Sequence, residues 1–288
     1  MRKFLKLLLI VFAYTVLYMV TNAVLPFSEA FMGLSANGSP LSAVFLFTNS
    51  LFVCFTISFI TKNSSWRGIK RVVGISAVVF MVISFMTQIE TLFFGEAFAV
   101  LTKMDVVYIM LAQLPSIIAA TLLSVRFFGE KVPRTRENAA ISFSALIPRI
   151  ALIGVIYVAI YFLFGYFVAW QFEEVRIFYS GSAENAGFIG QLMNNLRDNA
   201  IIYPFQFIRG VVFAICVLPL LYMMRGKKVI FMVSVCLVYL CTAIMLIIPN
   251  PLFPDAVRLA HFAEMASSML CFGLVAGYIL YTADNSNH

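Results

Sequence analysis

ALIGVIYVAIYFLFGYFVAW, residues 151–170, is a run of twenty residues without one charge. A helix needs about twenty predominantly apolar residues to cross the hydrocarbon of a bilayer. The rest of the chain has the same character. Of its 288 residues, 62% are hydrophobic and only 11% charged, with a mean hydropathy of +0.97. Soluble domains run near half apolar and a quarter charged, so the solvent for this chain is lipid. In lipid every backbone polar group must be satisfied internally, which leaves helices or a closed barrel. Barrels show alternating segments of about ten residues; here the apolar runs are continuous and about twice as long. The expected fold is an all-α integral membrane protein.

Eight spans can be placed by the same criterion, at residues 5–27, 40–61, 72–94, 105–127, 149–170, 201–224, 229–248 and 256–281. The N-terminal MRKFLKLLLIVFAYTVLYMV begins like a signal peptide, but its apolar run reaches Phe27 and no small-residue cleavage site follows. It reads as the first span. Of the 20 Lys and Arg residues, fifteen fall on the side that carries both termini and five on the other. The positive-inside rule then places both termini in the cytoplasm, and the context suggested is a bacterial inner membrane. The net charge of +7 is spread over short loops between spans, which fits anionic lipid and excludes a nucleic-acid partner. The sequon at Asn37 would face outward.

The five cysteines, Cys54, Cys216, Cys236, Cys241 and Cys271, lie within spans and form no CxxC pair. They read as small core residues, with neither a disulfide nor a metal site implied. No HExxH, GxSxG, Walker loop or dinucleotide fingerprint occurs, and no cofactor is implied.

Two halves share a pattern. The first span contains YTVLYMV from Tyr14 and the fifth YVAIYFL from Tyr157, each a tyrosine pair at i, i+4. Each is followed by a loop and by a span opening near a proline, Pro40 and Pro204. LAQLPSI in the fourth span aligns with FAEMASS in the eighth, so Gln113 meets Glu264 and Ser116 meets Ser267. The expected organisation is two tandem four-span halves, 1–128 and 149–288, joined by a cytoplasmic linker at 129–148. Equal orientation of the halves would relate them by an axis along the membrane normal. The long outer loop, 171–199, contains GFIGQLMNNLRDN, whose Phe188, Leu192, Met193 and Leu196 recur at helical spacing. That is the pattern of a short helix on the membrane surface, or of a lid. The preceding QFEEVRIFYSG, from Gln171, carries Arg176 among aromatics and would sit at the mouth of any cavity.

The polar residues inside spans gather toward the outer ends: Gln88 and Glu90 in the third, Gln113 in the fourth, Arg209 in the sixth, and Arg258, His261 and Glu264 in the eighth. A charge in lipid costs several kcal/mol unless paired or wetted, so these side chains must face the bundle interior or water. At about 100° per residue, His261, Glu264, Ser268 and Cys271 share one stripe, with Arg258 at its edge. Gly273 and Gly277 form a small-xxx-small contact on another face.

Glu264, His261 and Glu90 are the candidate acid–base groups. Arg258, Arg209, Gln88, Gln113 and Arg176 are the candidate ligand-binding groups. Three readings remain at this point. The first is a small transporter or solute-binding membrane protein for a small anionic or zwitterionic solute. The second is a membrane-embedded enzyme acting on a lipid or lipid-linked substrate at the outer leaflet. The third is an assembly subunit whose ion pairs are structural. A cavity closed on the inner side, a cavity with two gates, or no cavity would separate them.

Overall fold

The computed structural model describes residues 2–35, 41–129, 143–250 and 252–285. The Asn37 sequon, Pro40, His288 and most of the linker lie outside these residues. Among them every regular element is helical, and eight helices are long and apolar enough to cross a membrane: Arg2–Val24, Ser42–Asn63, Gly68–Phe93, Lys103–Phe128, Ser144–Gln171, Ile202–Met223, Lys228–Ile247 and Asp255–Thr282. The protein is thus an all-helical, multi-pass membrane protein. These are the first to eighth spans below.

Prolines set several boundaries. The first span stops at Val24, just before Leu25-Pro26, because a residue preceding proline is pushed out of the α region. The fourth span is two helices, Lys103–Ala112 and Leu114–Phe128, separated at Gln113 with Pro115 in the first turn of the second. The sixth is divided in the same way at Val217, ahead of Pro219. Proline lacks an N–H and is best tolerated in a first turn, so Pro115 and Pro219 each open a new helix inside a span. The fifth span begins earlier than its sequence suggests. Its helix starts at Phe143 and carries Pro148 near its beginning. The third span contains a π-turn over Met81–Phe85.

Hydrogen bonds between connections identify the two ends of the bundle. At one end Ser28 after the first span meets Asp105 of the fourth, and Ser42 of the second reaches the Pro249 carbonyl after the seventh. At the other, Lys227 donates to the Asn63 carbonyl, Ser65 N–H to the Met223 carbonyl, and Arg149 to the Thr282 carbonyl. The second is the basic end, and both terminal helices run to it.

Most packing partners recur between the first four spans and the last four, except that the second packs closely on the fourth while the sixth barely meets the eighth. The first span lies against the second and fourth, and the third against the fourth; the fifth lies against the sixth and eighth, and the seventh against the eighth. The second and third spans meet the seventh, and the third also meets the sixth. Glycines permit the closest approaches. A Cβ on Gly273 would stand 2.9 Å from the Cys236 Cα, and one on Gly277 would stand 3.2 Å from the Met232 Cα, so the small-xxx-small stripe of the eighth span is its contact with the seventh. Gly210 of the sixth span faces Gly154 and Tyr157 of the fifth in the same way.

The loop-rich end carries extra helices. Glu173–Ser180, within the expected outer loop 171–199, is helical. It is followed by Gly187–Asp198, the surface helix expected from its apolar spacing. The Tyr203 hydroxyl donates to the Leu192 carbonyl at 2.8 Å and ties the surface helix to the sixth span.

Candidate functional site

A cavity of about 1360 Å³ opens among the helices of the loop-rich end and enters the bundle. Its rim includes Glu184, Asn194, Asp198 and Asn199, all exposed. Its wall is built from the third, fifth, seventh and eighth spans, with Glu90, Tyr161, Thr242, His261, Glu264 and Ser268 facing in. Tyr157 and Ser268 stand midway along their spans, so the cavity reaches the middle of the bundle. The sequence had suggested a shallower polar layer.

Below that level lie aromatic rings. Tyr157, Phe213, Tyr239 and Phe272 are each 3% exposed or less. Tyr239 stacks on Phe272 at a centroid distance of 5.2 Å, and Tyr157 meets Phe272 edge-on at 4.9 Å. The Tyr239 hydroxyl donates to the Phe213 carbonyl at 2.9 Å, which keeps the buried phenol satisfied. These four interlocked rings form an apolar floor to the cavity on the side of the basic end.

The eighth span supplies the wall's acid–base groups, and its proline-led entry aims them. His261 and Glu264 lie one turn apart, with His261 Nδ1 3.7 Å from Glu264 Oε2. This is ion-pair distance when the imidazole is protonated, and longer than a hydrogen bond. The Ser268 hydroxyl donates to Glu264 Oε1 at 3.3 Å. The His261 ring sits edge-on to Tyr179 at 5.5 Å and near Phe253 at 6.0 Å, and its Nε2 is buried without a partner. Burial pushes the Tyr179 phenol well above its usual range, so it faces the imidazole as a neutral ring. Glu264 is 8% exposed and has no arginine or lysine against it among the described residues.

Glu90 is held differently. Arg209, 2% exposed, donates from its two terminal nitrogens to the two Glu90 oxygens at 2.6 and 2.7 Å, and to Gln206 Oε1 at 2.9 Å. Tyr157, Phe205 and Phe213 surround the guanidinium at 5.7 to 5.8 Å. This bidentate pair joins the third span to the sixth and presents Glu90 at the cavity wall already neutralised.

The other candidates separate from the site. Arg258 does not face Glu264; it bonds Asp255 in its own first turn and the Leu246 and Ile247 carbonyls at the end of the seventh span, at 2.8 and 2.9 Å. It thereby satisfies carbonyls that a helix end leaves open. Arg176 is spent on the Ala183, Trp170 and Gln171 carbonyls and folds its own loop. Gln113 sits at the break of the fourth span, 3.7 Å from the Met245 sulfur and away from the cavity wall. Gln88 does line the cavity, with Thr87 as its neighbour. The structure therefore brings together Gln88, Glu90, His261 and Glu264, with Arg209 behind Glu90, and leaves Arg176, Arg258 and Gln113 outside. Cys271, on the same expected stripe, is not at the wall.

Two groups escaped the sequence reading. Tyr157 and Tyr161 belong to the wall, and their i, i+4 spacing, which puts both phenols on one helix face, was the available signal. Asp105 is 1% exposed and accepts from the Ser28 and Thr102 hydroxyls at 2.7 Å each and from their N–H groups at 2.8 and 2.9 Å. TKMD is a capping-box pattern, and here the same carboxylate also anchors the chain after the first span. Among the described residues no three His, Cys, Asp or Glu side chains converge as metal donors.

Comparison with known protein families, curated proteins and solved structures finds no match to this chain.

Proposed function

We propose that the protein is a solute-binding membrane protein of the transport type that takes an amphiphilic ligand from the outer side of the membrane. One observation carries the reading: a large cavity, open at the loop-rich end, ends midway through the bundle on a buried aromatic layer. At about 1360 Å³ it exceeds the ~300–1,000 Å³ usual for small-molecule pockets. A purely structural polar layer would have closed Glu264 onto an arginine, as Glu90 is closed onto Arg209. Leaving a carboxylate facing open volume suits a group that waits for a ligand.

The orientation follows from charge. With the basic end in the cytoplasm, the mouth faces outward, and a bacterial inner membrane is the natural setting. In this reading the two halves are tandem repeats, 1–128 and 149–288. The recurrence of packing partners, first span with second and fourth, fifth with sixth and eighth, supports it. Ligand contacts pass to Glu264, His261, Gln88 and the wall tyrosines, because Arg176, Arg209 and Arg258 are occupied by protein groups. A second reading, an enzyme acting on a lipid at the outer leaflet, is favoured by the His261–Glu264 pair, which could pass a proton between ligand and carboxylate.

The test is Glu264→Gln and His261→Ala in native membranes, with folded yield and co-purifying small molecules measured together. Ligand lost from folded protein supports binding at this wall. Unchanged retention in both variants removes it, and a covalent change in the retained molecule, absent from the variants, selects the enzyme.

A further inference from the structure

The cavity has a sign. Five carboxylates line it, Glu90, Glu96, Glu184, Asp198 and Glu264, and no Lys or Arg does among the described residues, in a chain whose net charge is +7. Arg209 neutralises Glu90 from behind, and Arg197 pairs with Asp198 at 2.8 Å on the exposed rim. Of the other three, Glu96 and Glu184 are exposed to water, and only Glu264 is buried without a lysine or arginine partner among the described residues. A buried carboxylate lacking one is a costly arrangement, and a cationic ligand group would relieve it. The surroundings suit such a group. Tyr157, Tyr161, Tyr179 and Phe272 present rings to the same volume, and ammonium groups are attracted to aromatic faces.

A second opening tells what the cation is attached to. An apolar groove of about 790 Å³ lies between the fifth and sixth spans, floored by Val155, Ala159, Leu163 and Phe207. It shares Phe162, Phe188 and Leu192 with the cavity wall. Among the described residues no charged side chain lines it. The groove lies between two spans and adjoins the polar chamber, with Phe162, Phe188 and Leu192 as the shared partition, so the occupant that matches both is one molecule with a hydrocarbon tail and a polar head. Resting on the binding function above, we propose that the ligand is a cationic amphiphile, its ammonium-bearing head at Glu264 among the tyrosines and its chain leaving through the groove between the fifth and sixth spans.

The test uses the purified full chain in nanodiscs and three probes of equal chain length: dodecyltrimethylammonium, dodecyl phosphate and dodecanol. Bound probe is counted by native mass spectrometry below the critical micelle concentration. The expected result is an ammonium probe bound at least tenfold more tightly than the other two, a preference lost in Glu264→Gln while dodecanol binding persists. Ala159→Trp, which fills the groove and leaves Glu264 untouched, should weaken all three probes and keep the ammonium preference. Equal binding of all three, or tighter binding of the phosphate, overturns the cationic assignment and leaves the binding function standing. Binding of none overturns both. If Glu264→Gln does not fold, Tyr161→Leu serves instead, and an unchanged ammonium preference there overturns the aromatic part of the site.

Discussion

Removing Glu90 should damage the fold more than removing the arginine it holds. In Glu90→Leu, Arg209 keeps Gln206 but loses two charge-assisted hydrogen bonds of 2.6 and 2.7 Å while staying 2% exposed among three aromatic rings. At an effective dielectric of about 20 an ion pair at contact is worth on the order of 4 kcal/mol, and stranding one member of a buried pair costs roughly 3–5 kcal/mol. The Glu90 side chain is 27% exposed toward the cavity, and water there screens the pair, so the lower figure of about 3 kcal/mol applies. That is about a hundredfold in the folded-to-unfolded ratio. In Arg209→Met the stranded group is Glu90, which cavity water can solvate, so the loss should be smaller, about 1–2 kcal/mol. The double variant Glu90→Leu/Arg209→Met strands neither charge and should recover most of the loss. The assay is thermal unfolding of all four proteins in one detergent, analysed as a double-mutant cycle. Additive losses, with no coupling between the positions, would refute the pair as a tie between the third and sixth spans.

Three further outcomes follow from geometry alone. Asp105→Ala removes the acceptor of four hydrogen bonds from Ser28 and Thr102 and should cost about 2–3 kcal/mol, read as a fall in melting temperature; an unchanged midpoint would refute its anchoring role. Gly210→Ala should be worse than Gly277→Ala, because the added Cβ would stand 2.5 Å from Tyr157 Cβ in the first case and 3.2 Å from the Met232 Cα in the second; overpacking costs about 1–3 kcal/mol, and comparable folded yields for the two would contradict the order. Arg258→Lys keeps the charge but not the guanidinium fork that spans Asp255 and the Leu246 and Ile247 carbonyls, so it should lower the melting temperature nearly as much as Arg258→Met; full rescue by lysine would show that charge alone matters.

The spans were legible because apolar length is a local property. Residues 151–170 declare a membrane helix whatever they pack against. The surface helix Gly187–Asp198 and the glycine contact of the eighth span were legible for the same reason, since one helix face carries the whole signal. The helix Glu173–Ser180 was missed despite two glutamates in its first turn and Gly181 at φ 70° after its end, which are start and stop signals. Partners were not legible. Arg209 and Glu90 are 119 residues apart, and nothing near either names the other. Arg258, one turn from His261, looked like part of the site, yet carbonyls contributed by the preceding span decide where it points. The acidic sign of the cavity was hidden for a related reason. Glu96 and Glu184 come from loops that only the fold brings to one mouth, and the arginines that balanced the count lie behind the wall.

The most direct measurement concerns which side of the membrane sees the middle of the bundle. Ser268 lines the cavity midway along the eighth span, above the rings of Phe272 and Tyr239. In Ser268→Cys, a membrane-impermeant thiol reagent should modify the new cysteine from the outer face of sealed, oriented vesicles, with the parent protein, whose cysteines are buried or partly buried, as control. Modification from the outer face alone is the predicted result. Modification from the basic face, or none above the parent from either side, would contradict an outward-open binding cavity.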